Sequence, residues 1–366
     1  MKKSVLALAA LGAFAGAASA QSSVTMFGVV DLNVQTVSNN ERTYSMGTDG
    51  MASSRLGFRG TEDLGGGLKA GFWLEMGLSP DTGGSAGIWG NNTASNANRL
   101  FFNRRSTVSL SNQWGELRLG RDYTATFWNW TVFDPFGTNG VGASTNLGLS
   151  STLRAGLASG ATYGTLVRAN NMVAYYLPNG AFGPGLYGQL QAAAGENSAG
   201  NKYWGGRIGY AAGPFDIAGS YGQTGLDAAD NITADVWNIA GSWNFGFMKL
   251  SGFYGQTDVK DLPVALLGDT RAKRENWFVG VTAPFGQWNL KASYGGTNGK
   301  KALNSDDATQ WAIGVDYNLS KRTALYATWA SIKNDGQSNF SVSTQASAVS
   351  GGHSSTGGQV GIRHSF

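Results

Sequence analysis

The last ten residues, Gly357 to Phe366, constrain this chain more than any other stretch. Counting back from Phe366, the apolar or small residues Ile362, Val360 and Gly358 recur at alternate positions, with Ser365, Arg363 and Gln359 between them. That alternation gives a strand one apolar face and one polar face, and ends it on an aromatic ring. Such a strand suits a sheet closed on itself within a bilayer. There the final strand pairs with the first, no edge is left unpaired, and the terminal ring sits at the lipid–water boundary.

The other end points to export. Lys2 and Lys3 precede an apolar run from Val5 to Ala17, and Ala18-Ser19-Ala20 has the small-x-small form of a cleavage site. Residues 1–20 are therefore expected to be a signal peptide and 21–366 the barrel. No other segment approaches the ~20 continuous apolar residues a spanning helix requires. Gly is 55 of 366 residues, Pro only 7, and aromatic residues make 12%, a profile of many short strands, tight turns and interfacial rings. With no cysteine, neither disulfides nor thiolate chemistry is available. Lys2 and Lys3 carry part of the +4 formal charge, so the mature chain is close to balanced and no nucleic-acid partner is expected.

In the first strand Met26, Gly28, Val30, Leu32 and Val34 share one face, and Asp31, Asn33 and Gln35 share the other. Further strands are expected near 51–61, 67–78, 101–112, 115–121, 167–177, 184–194, 201–213, 214–224, 233–246, 247–258, 272–285, 286–297, 307–319, 322–334 and 356–366, making sixteen with the first. Their connections alternate strictly. Tight turns fall at Asp63–Gly67, Asn112–Gly115, Pro178–Pro184, Gly213-Pro214, Phe245–Phe247, Pro284–Gly286 and Ser320-Lys321. Long ones fall at 38–50, 79–100, 122–166, 195–200, 225–232, 259–271, 298–306 and 335–355. This parity predicts an all-β, 16-stranded antiparallel transmembrane barrel, with short periplasmic turns, long external loops and both termini on one side.

Several runs resemble the general diffusion porins of Gram-negative bacteria, in particular the anion-preferring branch of beta-proteobacteria. They are Ser23–Asp31, Ser54–Ala70 (SRLGFRGTEDLGGGLKA), Asn103–Leu110, Gly115–Asp122, Arg168–Asn171, Leu319–Tyr326 and Val360–Phe366. Together they extend over essentially the whole mature chain. The resemblance implies a homotrimer in the cell outer membrane, in contact with lipopolysaccharide and other outer-membrane lipids. It also implies a third external loop folded inward to narrow the pore.

The connection at 122–166 is the candidate constriction. It is the longest, and its charges are few: Asp122, Asp134 and Arg154. Phe127, Trp128, Trp130, Phe133 and Phe136 are suited to anchoring it against the inner wall. Within it Phe133-Asp134-Pro135-Phe136-Gly137 is similar to the porin loop-tip motif, usually Pro-Glu-Phe-Gly, and puts Asp134, Phe136 and Gly137 at the constriction. Here the acid precedes the proline, so the lumenal position of the family's glutamate does not carry over to Asp134 directly.

The resemblance places pore-lining arginines at Arg55, Arg104 and Arg168. Parity supports the first, because Arg55, Gly57, Arg59 and Thr61 share a face while Leu56 and Phe58 share the other. Arg104 adjoins Arg105, and strand alternation turns one of the two away from the lumen. The plainer alternative is that these arginines satisfy wall carboxylates such as Glu62, Glu75 or Asp31. A single charge about 6 Å from a permeating ion in water contributes roughly 0.7 kcal/mol. Three unopposed ones give about 2 kcal/mol, roughly thirtyfold in partitioning, reduced by screening over a Debye length of ~8 Å at ~0.15 M salt. The expected outcome is passive diffusion of small neutral and anionic solutes with a moderate anion bias.

Other chemistries lack material. Gly83-Gly84-Ser85-Ala86-Gly87 matches a nucleophile elbow but lies in a Gly/Asn/Ser-rich loop, not a strand–turn–helix. His353 and His364 have no convincing acid or metal partner, and Asn304–Asp307 reads more simply as solvated loop than as a calcium site. No cofactor is implied. Trp128 and Trp130 keep a sugar- or acid-selective channel in view, and a non-conducting surface barrel remains a third reading.

Overall fold

The computed structural model describes residues 23–85, 101–148, 165–178, 180, 183–195, 202–226, 231–263, 269–304 and 306–366. The expected signal peptide lies outside these residues, as do parts of six external connections and of the turn at 178–184. β1 (Ser23–Ser38) is followed by β2 (Arg42–Thr48), β3 (Arg55–Gly65), β4 (Leu68–Ser79) and the two-residue β5 (Gly84–Ser85). Next come β6 (Arg105–Asn112), β7 (Gly115–Tyr123), the helix α1 (Ala125–Phe133), β8 (Arg168–Tyr176) and β9 (Leu186–Ala193). β10 (Tyr203–Ala212), β11 (Phe215–Gly225), β12 (Thr233–Asn244), β13 (Lys249–Lys260) and β14 (Ala272–Phe285) continue the sheet. β15 (Trp288–Lys301), β16 (Asp306–Asn318), β17 (Thr323–Gly336) and β18 (Ser355–Ser365) complete it.

All pairings are antiparallel, and β18 returns to β1, with Val29 opposite Ser365 and Ser38 opposite Thr356. Gly28 and Phe366 then exchange both backbone hydrogen bonds, at 3.0 and 3.1 Å. The sheet therefore has no open border. β3 pairs with Ser23–Val29 of β1 and β2 with Leu32–Ser38, so the two are halves of one wall strand. With β5 a short appendage of β4, the ring is a closed barrel of sixteen strands.

One connection differs from expectation. The long loop placed at 38–50 is mostly strand: Arg42–Thr48 pairs residue by residue with β1 after a connection of only Asn39–Glu41. Its polar residues resemble loop composition but alternate with Tyr44 and Met46, which face outward at 72% and 58% exposure. The break comes later, at 49–54, where the chain leaves the ladder to enclose Asp31. That carboxylate accepts hydrogen bonds from the backbone N–H groups of Gly50, Met51 and Ala52 at 3.2, 2.8 and 2.7 Å.

The faces alternate as a barrel in lipid demands. Outward side chains such as Val34, Leu119, Ile208, Val279 and Ile313 are exposed apolar groups, whereas inward Asp31, Asn33, Gln35, Asn238 and Gln310 are covered. Outward aromatic rings gather in two bands. Trp204–Tyr221, Trp237–Tyr254 and Trp277–Tyr294 pair near the long-loop end. Phe215–Trp243 and Trp288–Tyr317 pair near the short turns. These are the positions of interfacial girdles.

Candidate functional site: a constriction with arginines on one wall

The segment after β7 folds into the barrel. α1 is apolar on every side (ATFWNWTVF), without the polar stripe a surface helix carries. Its inner location explains this. Trp130 stacks on Phe253 with centroids 4.6 Å apart, and its indole N–H donates to Ser144 Oγ at 2.7 Å. Asn129 donates to Ala218 O at 3.1 Å and Asn238 Oδ1 at 2.8 Å, tying the helix to β11 and β12. Of the five expected anchors, Phe127, Trp130, Phe133 and Phe136 are buried, while Trp128 remains 39% exposed beside Tyr123. Arg154 lies outside the described residues.

Asp134 does not project into open lumen. Its carboxylate accepts from the N–H groups of Phe136, Thr138 and Ser144 and from Ser144 Oγ, at 2.9, 3.2, 2.9 and 2.6 Å. Burial pushes this carboxyl above its ordinary value, and the donors that favour its charged form oppose the rise. Moving the acid in front of the proline thus turns it into the internal tie of the loop. Gly137, at φ +58°, lies in the turn that Asp134 closes, and its carbonyl accepts from Thr131 Oγ1 at 3.2 Å. Phe136 packs in an apolar cluster with Val37, Leu147, Ile332 and Val342. That cluster also brings in the last external connection, since Asn146 Nδ2 donates to Val342 O at 3.2 Å. At the tip, Gly140 has φ +65°, and a Cβ there would fall 2.3 Å from Gly50 O. The tip is held by Ser53 Oγ donating to Asn139 Oδ1 at 2.8 Å and Val141 N donating to Gln359 Oε1 at 3.3 Å.

The three expected arginines converge on one patch of wall. Glu75 on β4 takes Arg104 Nε at 2.5 Å and has Arg55 Nη1 at 3.7 Å. The Tyr123 hydroxyl accepts from Arg104 Nη2 at 3.0 Å and Arg168 Nη2 at 2.8 Å, and the Arg168 guanidinium lies 4.3 Å from the centre of that ring. Arg121 lies close by, donating to Asn103 O at 2.7 Å and Asn170 Oδ1 at 2.6 Å. Glu75 therefore pairs with Arg55 and Arg104, Arg168 is held by Tyr123, and Arg121 is held by Asn103 and Asn170. Of the alternative carboxylates, Glu75 does bind two of the arginines, whereas Asp31 is committed to the strand break.

Strand alternation misled at Arg104 and Arg105. Both reach the inner side, because Arg104 precedes β6 and is not bound by its alternation. Arg105, the first residue of the strand, lies 4.5 Å from the Trp73 ring centre and 3.5 Å from Asp122. Tyr123 carried no signal in the sequence. It belongs to the wall only through the register shift between Gly120 and Asp122, made at a glycine with φ +125°.

A closed sixteen-stranded barrel with an apolar skin, a polar interior and a charged constriction defines a pore-forming protein of the outer membrane. A family model for the Gram-negative porin matches residues 7–337, and the chain belongs to that family as an outer-membrane porin. It is 40% identical over 378 residues to outer membrane porin protein 32 of Delftia acidovorans, covering 100% of both chains. An anion-selective porin from Comamonas acidovorans superposes with a TM-score of 0.79 at 36% identity, covering 94% of this chain and 100% of that one. OmpT of Vibrio cholerae in its trimer form superposes at 0.66 with 13% identity, over 94% of this chain and 99% of that one, a likeness of fold alone.

Proposed function

We propose that this porin passes small hydrophilic solutes by diffusion and favours anions, with Arg55, Arg104 and Arg168 setting the preference. The observation that carries this reading is the charge balance across the constriction. On the wall, Arg55 and Arg104 pair with one carboxylate, Glu75, Arg168 rests on the Tyr123 hydroxyl and ring, and the acid of the inward loop is tied into its own turn. Two net positive charges at ~6 Å in water are worth about 1.4 kcal/mol, roughly tenfold in favour of anions before screening. The anion-selective porin of Comamonas acidovorans, with its similar backbone, supports the same sign. A cleaved signal peptide, a homotrimeric state and contact with outer-leaflet lipopolysaccharide belong to this proposal.

In planar bilayers across a tenfold KCl gradient, the zero-current potential is expected to lie on the chloride side. A potential of potassium sign overturns the reading. Glu75→Gln removes the one opposing charge, and the anion-to-cation permeability ratio is then expected to rise about threefold. No rise would mean that Glu75 is not felt by permeating ions.

A further inference from the structure

Arg59 is a guanidinium that the constriction does not use. It stands four residues from Arg55 on the same face of β3, roughly 13 Å nearer the short turns at ~3.3 Å per residue. Trp73 lies directly opposite on β4, and Phe27 reaches over from β1. Phe27 passes above Gly57, where a Cβ would sit 2.4 Å from the ring, and meets Trp73 edge-on with centroids 4.9 Å apart. The Arg59 guanidinium rests 5.3 Å from the Phe27 centroid and 5.2 Å from the Trp73 centroid. It is exposed, and among the described residues no carboxylate pairs with it. Arg105, by contrast, has Asp122 at 3.5 Å.

An aromatic platform holds a guanidinium by its face and leaves its N–H groups turned outward. That arrangement presents a pre-set fork for the two oxygens of a carboxylate, with ring surface at its side for an apolar substituent. We infer that Arg59, Phe27 and Trp73 form a second anion station in the periplasmic half of the pore, selective for small carboxylates that carry an aromatic or apolar group. It rests on the lumenal placement of the β3 arginines but not on the selectivity assigned to the constriction. The constriction acts by field, whereas this station recognises shape. An ion leaving the constriction meets it next on the way to the periplasm.

The test is block of chloride current by benzoate or acetate, added in turn to each side of single channels. In the unaltered porin, benzoate is expected to half-block at about fivefold lower concentration than acetate. Arg59→Lys keeps the charge but loses the fork, so the KCl zero-current potential should stay put while the benzoate half-block concentration rises about five- to tenfold. Phe27→Ala leaves every charge in place and should produce a similar rise. Equal block by the two acids, or Arg59→Lys and Phe27→Ala channels that respond to benzoate as the unaltered porin does, would overturn the station. The zero-current potential of the unaltered porin reports on the constriction separately, so failure of one reading is distinguishable from failure of the other.

Discussion

Replacing Arg55, Arg104 and Arg168 together by Gln is expected to carry the zero-current potential in a KCl gradient through zero to the potassium side. Glu75 remains when its partners go, so these three arginines and Glu75 together pass from two net positive charges to one net negative charge. At ~6 Å in water that is roughly 2 kcal/mol between permeating chloride and the wall, about thirtyfold in partitioning before screening. Three wall side chains change while the sixteen-stranded ladder stays intact, so the channel should still insert and conduct. The shift should be largest in dilute salt and shrink as the Debye length contracts. A potential that stays on the chloride side would place the selecting charges elsewhere along the bore.

The second large effect is expected at the loop. Asp134→Ala deletes the acceptor of three backbone N–H groups and one hydroxyl, all in a covered site. Each donor left without a partner costs about 1–3 kcal/mol, several kcal/mol in all, borne by one loop and not by the barrel. The turn from Pro135 to Ser144 should therefore loosen. Single-channel conductance is expected to rise, with added current noise, while the heat-dependent gel shift of the folded barrel stays where it was. Unchanged conductance and noise would mean that the aromatic anchors alone hold the constriction.

Much of the wall was legible in the residues, for a simple reason. Between lipid and water each strand must alternate, so Leu117, Leu119 and Ile208 announce outward positions and the glycine-rich pairs announce turns. The concealed parts are those where alternation does not apply. Arg42–Thr48 is strand built largely from loop-like residues, held by pairing with β1. α1 has no stripe, because the wall covers one side of it and the loop's own turn another. At Arg104 and Tyr123, a strand start and a bulge reset the parity and bring both side chains to the inner side of the wall. Asp134 was visible as an acid beside Pro135, but only the fold shows its oxygens turned back on the loop. Motif drew attention to Arg104 and Arg168, but nothing in the residues pointed to the phenol of Tyr123 that both of them touch.

The pairing of β1 with β18 also dictates when during biogenesis this molecule becomes safe. The two strands are more than three hundred residues apart in sequence, so this row of hydrogen bonds forms only once the whole stretch between them has been made. Until then two raw strand borders and a lipid-loving exterior travel through the aqueous periplasm, the condition under which chains aggregate. Loss of the final strand would leave the first with nothing to zip against.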